Sequence, residues 1–278
     1  MEFQTRDEKL PAQLERVKSA IEEDLLKDER VLAVFYGGSI GEGNTDRYSD
    51  IDLRVVVGAE EIQEFIAEKR KRPHLWGNVS FFEDANPVSS YVVTHYENFI
   101  KVDSFYYQPA DLKPSVWLQH ITIVKDANGL MAQIQQVSQT LSYEPSFAEV
   151  EGWRTKFFAY LHETYRRTKR QEYYYALRCL DNMRLSVAGA WYMYRGKKPN
   201  AFGDWAHYEG EKSKLTTFQQ AMLAGWDCSR NTADILKTAK SITAEFTAVH
   251  NSLCDKIGME KEEERMHRIF NRVFSEVH

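Results

Sequence analysis

No stretch of this sequence approaches the roughly 20 consecutive apolar residues that a membrane-spanning helix needs. The charged start Met-Glu-Phe-Gln-Thr-Arg-Asp-Glu-Lys is unlike a secretion signal, so no membrane association and a cytoplasmic location are expected. Cysteine is scarce: Cys179, Cys228 and Cys254 are three in number, far apart, and have neither Cys-x-x-Cys spacing nor flanking histidine pairs. That excludes a disulfide framework and a zinc site and leaves reduced, structural thiols. Excess positive charge is also missing, since 36 Lys and Arg face 41 Asp and Glu for a net charge of −5. A protein that coats nucleic acid by neutralising phosphates is not composed this way; no nucleic-acid partner is expected, and cationic small molecules are easier ligands. Two familiar phosphate loops are absent as well. Walker A needs a Gly-Lys-Ser/Thr ending, and the dinucleotide fingerprint needs Gly-x-Gly-x-x-Gly where this chain has Gly38-Ser-Ile-Gly-Glu-Gly43.

What is present is length enough, at 278 residues, for two domains of ordinary size, each with its own core. Leu14, Val17, Ile21 and Leu25 recur at helical spacing and predict an amphipathic helix from Pro11 to Lys27. Apolar runs predict strands over Val31–Tyr36, Asp50–Val57, Val79–Glu83, Tyr91–Tyr96, Phe99–Tyr107 and Ile121–Val124, with a helix over Glu60–Arg72 closed by Pro73. Beyond Leu141-Ser-Tyr-Glu-Pro-Ser-Phe147 the pattern turns helical: Ala148–Arg170, Glu172–Tyr194, Lys214–Ala224, Asn231–Lys256 and Lys261–Val277. The expected fold is therefore α+β, with a mixed sheet and flanking helices over residues 1–143 followed by an α-helical bundle over 144–278. No internal repeat interrupts it, and the longest irregular piece is Gly196–Glu211.

The segment joining the first two strands is chemically loaded. Val31–Tyr36 stops at Gly37-Gly38, and the next strand opens on Asp50-Ile-Asp52. With a period of two, Ile51, Leu53, Val55 and Val57 face one way and Asp50, Asp52 and Arg54 the other. The two carboxylates then lie side by side, about 7 Å apart at their α-carbons by strand rise. Adjacent carboxylates repel unless a cation lies between them, and a hard oxygen pair suits magnesium carrying substrate phosphates. The small residues of the turn let backbone N–H groups and the Ser39 hydroxyl approach phosphate oxygens.

Gly38-Ser39, ten intervening residues and Asp50-Ile51-Asp52 together resemble the signature of the DNA-polymerase-β-like nucleotidyltransferase superfamily. The order of that domain and a helical one is similar to bacterial antibiotic adenylyltransferases acting on aminoglycosides and lincosamides, a loose likeness over the chain. Within it, Glu172-Tyr-Tyr-Tyr-Ala-Leu-Arg-Cys-Leu-Asp-Asn-Met-Arg184 resembles one helix of those enzymes. The resemblance implies transfer of a nucleoside monophosphate, AMP above all, from an NTP such as ATP to a hydroxyl of a small acceptor. It implies two Mg2+ ions on three carboxylates, the third on a later strand; Asp103, in Phe99-Ile-Lys-Val-Asp-Ser-Phe-Tyr-Tyr107, fits that place. An aspartate inside a strand otherwise needs a reason, because burying it unpaired is costly.

On this reading Asp50, Asp52 and Asp103 are metal ligands, Asp103 lies beside the attacking oxygen as general base, and Gly38 and Ser39 hold phosphate. Charge on the leaving pyrophosphate calls for helix-borne cations, with Lys156, Arg178 and Arg184 as candidates. Glu163 is a second candidate base, with Asp181 competing. Aromatic residues of the bundle, with Asp204, Glu209 and Glu211, suit a sugar ring or a cationic amine. Two other readings stay open: nucleotidylation of a protein or RNA partner, and a nucleotide-binding regulator without turnover. Nucleotide preference and assembly as a homodimer are not fixed by the sequence.

Overall fold

A computed structural model describes residues 2–84 and 86–274. The chain forms two compact units, dividing between Leu141 and Ser142. The first contains α1 (Glu2–Asp7), α2 (Leu10–Lys27), β1 (Val31–Tyr36), α3 (Gly38–Glu42), β2 (Ile51–Val57), α4 (Ile62–Glu68), β3 (Val79–Glu83), β4 (Tyr91–Tyr96), β5 (Lys101–Tyr107), β6 (Thr122–Asp126) and α5 (Leu130–Gln139). The described strands form one six-stranded sheet in the order β3-β4-β5-β2-β1-β6, mixed because β2 and β5 alone run parallel.

The period-two pattern of β2 divides the sheet into two chemistries. Ile51, Leu53, Val55 and Val57 join Leu14, Val17, Ile21 and Leu25 of α2 and Phe65 of α4 in a buried core on one face. On the other face Ala33, Phe35 and Val56 pack under Met131 and Ile134 of α5. The expected fold class is the one observed, with local differences. The Gly37–Gly43 segment contains the short helix α3 rather than a plain turn. The hairpin between β4 and β5 spans residues 97–100 instead of two residues, because Phe99 takes a left-handed φ of 69° and delays β5 to Lys101. The helix expected over Glu60–Arg72 is α4 alone; its C-cap, Lys69, buries its ammonium against Asp84 and the backbone carbonyls of Asn86, Ser89 and Tyr91.

The second unit is helical: α6 (Phe147–Lys169), α7 (Tyr173–Tyr194), α8 (Thr217–Gly225), α9 (Thr232–Ile257) and α10 (Glu263–Phe274). Side chains set the starts. Ser146 and Glu149 form a capping box on α6, Thr216 and Gln219 do the same for α8, and Asn231 caps α9. Thr216 therefore delays α8 past the expected Lys214. The expected helix over 261–277 is observed as α10, and residues 275–277 lie outside the described residues. Trp153, Phe157 and Phe158 of α6 surround Phe246 of α9, with Phe157 and Phe246 stacked at 3.7 Å between ring centroids.

Candidate active site

The parallel pairing of β2 with β5 sets Asp52 opposite Asp103 and Arg54 opposite Phe105. Because side chains alternate along each strand, Asp50, Asp52 and Arg54 share a face with Lys101, Asp103 and Phe105. Lys101 lies between two of the carboxylates, its Nζ 2.7 Å from Asp50 Oδ2 and 3.2 Å from Asp103 Oδ2. Arg54 reaches Asp52 at 3.4 Å and lies 4.0 Å over the Phe105 ring, which in turn stacks on Tyr91.

Burial and convergent charge leave their mark on Asp103 and Lys101. Burial pushes the Asp103 carboxyl above the usual carboxylate range, Lys101 opposes that, and the neighbouring Asp50 and Asp52 add to it. For Lys101, burial pulls the ammonium down, but its bonds to Asp50 and Asp103 outweigh this and raise it above the ordinary lysine value. One oxygen of Asp103, Oδ1, is buried with no hydrogen-bond partner among the described residues, and so is the hydroxyl of Ser39. Such atoms are expensive unless something accepts or supplies the missing contact.

Two glycines explain how α3 comes this close. Gly38 takes a φ of +52°, and a Cβ there would fall on the Asp52 carboxylate. At Gly41 a Cβ would lie 2.5 Å from the carbonyl oxygen of His120. The N–H of Gly37 donates to the Asp52 carbonyl at 3.0 Å, tying α3 to the head of β2. Beside them a cleft of about 410 Å3 is lined by Gly37, Gly38, Arg54, Lys113 and Trp117 among others, within the usual range for small-ligand sites.

The donor set is of the chemical kind that a hard divalent cation takes. Three carboxylates provide hard oxygen ligands, one of them has an oxygen with no partner, and an ammonium already bridges two of them. Among the described residues no group of three His, Cys, Asp or Glu is placed so as to hold a metal ion by itself.

Asp50, Asp52, Asp103, Gly38 and Ser39 thus come together in the first unit. The other sequence candidates lie in the second. Glu163, on α6, accepts from Arg166 and Arg167 at 2.8 Å each, and these bonds hold its carboxyl below the usual range. Arg184, on α7, donates to the carbonyl of Trp226 through Nε and Nη2. Lys156 and Arg178 project from exposed positions of α6 and α7. Asp181 accepts from the indole of Trp205 at 3.1 Å. Sequence reasoning assigned no role to Lys101, although its place two residues before Asp103 in a strand already put both on one face.

No protein-family profile matches the chain, and no curated protein matches it. Two solved structures are similar in fold at 12% sequence identity and a TM-score of 0.43 each. One is an aminoglycoside 6-adenyltransferase from Bacillus subtilis, with 92% of this chain and 97% of that one covered. The other is a nucleotidyltransferase-like protein from Exiguobacterium sibiricum 255-15, with 87% and 77% covered. No helix among the described residues is long and apolar enough to cross a membrane.

Proposed function

We propose that the protein is a nucleotidyltransferase that moves a nucleoside monophosphate, AMP as first candidate, from a magnesium-bound NTP to a hydroxyl of a small molecule. Aminoglycoside- and lincosamide-like compounds are the first acceptors to try, and an acidic chain favours such cationic ligands. The observation that carries the reading is the facing of Asp52 and Asp103 on adjacent parallel strands, with Gly38 pressed against the Asp52 carboxylate.

Asp50, Asp52 and Asp103 would hold Mg2+, which when bound neutralises triphosphate charge and makes the acceptor hydroxyl more acidic. The chain's own residues then have distinct tasks. Ser39 has a hydroxyl without a partner to offer a phosphate oxygen. Arg54, Lys113 and the Trp117 ring line the cleft where the nucleotide would lie. Asp103, facing Asp52 from the neighbouring strand, would take the acceptor's proton. The acceptor oxygen bonds to the α-phosphorus, the bond from that phosphorus to the bridging oxygen breaks, and pyrophosphate leaves.

The test is pyrophosphate release from ATP, GTP, CTP and UTP against a panel of aminoglycosides, lincosamides and simple aminosugars, with and without Mg2+. At least one pairing should turn over, and Asp52→Asn should lower it by about 100-fold or more, beyond the loss typical of removing a residue that only orients a metal ligand. A panel with no metal-dependent turnover would count against small-molecule transfer.

A further inference from the structure

We propose that Lys101 is a built-in cation of the carboxylate cluster, standing where a second divalent ion would otherwise stand, so that the chain binds a single divalent ion with its nucleotide. This rests on the nucleotidyl-transfer reading above and alters the ion count expected from the sequence.

Position is the first argument. The Lys101 ammonium is within ion-pair distance of Asp50 and Asp103 together, at 2.7 and 3.2 Å, which is the space between the first and third carboxylates. It comes from the same strand face as Asp103, and its backbone is fixed by the pairing of Lys101 with His95 on β4. The second argument is charge. Before any nucleotide is bound, the three carboxylates, the Lys101 ammonium and the Arg54 guanidinium leave a charge of minus one, which a single divalent ion already offsets. A second divalent ion would have to displace the ammonium or lie against it, and like charges at that distance repel strongly where solvent is partly excluded.

The third argument is what remains available. Asp103 Oδ2 and Asp50 Oδ2 are engaged by Lys101, whereas Asp103 Oδ1 is buried without a partner. The cluster therefore keeps ligand capacity for one ion while the ammonium holds Asp50 and Asp103 in place. Lys101 is a positioning residue in this scheme, and its charge substitutes for an ion without needing one from solution.

The experiment counts protein-bound Mn2+ by electron paramagnetic resonance in the presence of saturating α,β-methylene ATP. Wild type should bind one Mn2+ per chain and Lys101→Met two. Lys101→Arg, which keeps the charge, should return to one, and the double variant K101M/D103N should lose the added ion. Thermal unfolding of each variant establishes that the fold is retained. Two ions in wild type overturn the proposal, as does one ion in Lys101→Met, and either result leaves nucleotidyl transfer standing. No bound Mn2+ in any variant removes the metal-dependent reading itself.

Discussion

The two units handle charge in different ways. In the helical unit, several ionic groups settle with near neighbours: Glu163 with Arg166 and Arg167, the Asp234 carboxylate with the amide of its cap Asn231, Arg265 with Glu262. In the sheet unit, Asp50, Asp52 and Asp103 are drawn together from separate strands, and one of their oxygens is left without a partner. Charges satisfied along one helix are mostly solvated decoration. Like charges that folding assembles from distant segments cost stability, and they mark where chemistry is expected.

The sharpest test of that contrast is Asp103→Asn. It should reduce metal-dependent pyrophosphate release by about 100-fold or more, while the thermal midpoint stays level or rises, because a neutral isostere relieves a carboxyl that burial disfavours. A large loss of stability would mean that Asp103 is structural. Next comes a pair of identical substitutions. Gly38→Ala forces a Cβ onto Asp52 at a left-handed φ and should destabilise by about 1–3 kcal/mol. Gly152→Ala, in the middle of α6 with open space around it, should stabilise by about 0.5–1 kcal/mol. Denaturant melts of both variants give the two signs.

Acid should also separate the units. Burial holds the His250 imidazole below its ordinary value, so the folded helical unit binds fewer protons than the unfolded chain over the range just below about pH 6.5. Its stability should be complete above that pH and fall as pH drops towards the depressed folded value, after which the loss stops growing. In the sheet unit, Asp28 is held low by Arg30, and also by Arg72, against the opposing effect of burial. That contribution persists until the pH falls below about 4, the unfolded aspartate value, and is lost as pH drops on through the folded one. Calorimetry between pH 7.5 and 5 should therefore shift the helical transition more than the sheet transition, and His250→Gln should flatten the difference. The smallest effect is expected for Glu163→Gln: about 0.3–0.5 kcal/mol from a local helix pair, with little change in turnover. A deep loss of activity would instead give the helical unit the base.

Local order was readable in advance, and non-local order was not. The expected bounds of β1, β3 and β4 coincide with the observed strands because alternation or a short apolar run ends at glycine, aspartate or a polar turn. Helix α5 escaped: Leu130, Met131, Ile134 and Val137 have helical spacing, but the helix follows Ala-Asn-Gly129 and its N-cap glycine offers no side-chain oxygen, so no start signal announced it. At the site, Gly38, Ser39 and the aspartate pair were legible as a motif. The direct pairing of β2 with β5 could not be read from the residues themselves, since parallel pairing leaves no turn signature between them; only the family resemblance brought Asp103 to the aspartate pair. Without that adjacency, Lys101 reads as an ordinary solvent-facing lysine.

The pairing of β2 with β5 also works as a proofreading device for the finished molecule. A slip of β5 by one residue would turn Lys101, Asp103 and Phe105 towards the apolar core and bring Val102, Ser104 and Tyr106 out in their place. Because the same alternation orders both the core and the acids, a one-residue slip would expose apolar side chains and take Asp103 away from Asp52 in a single step.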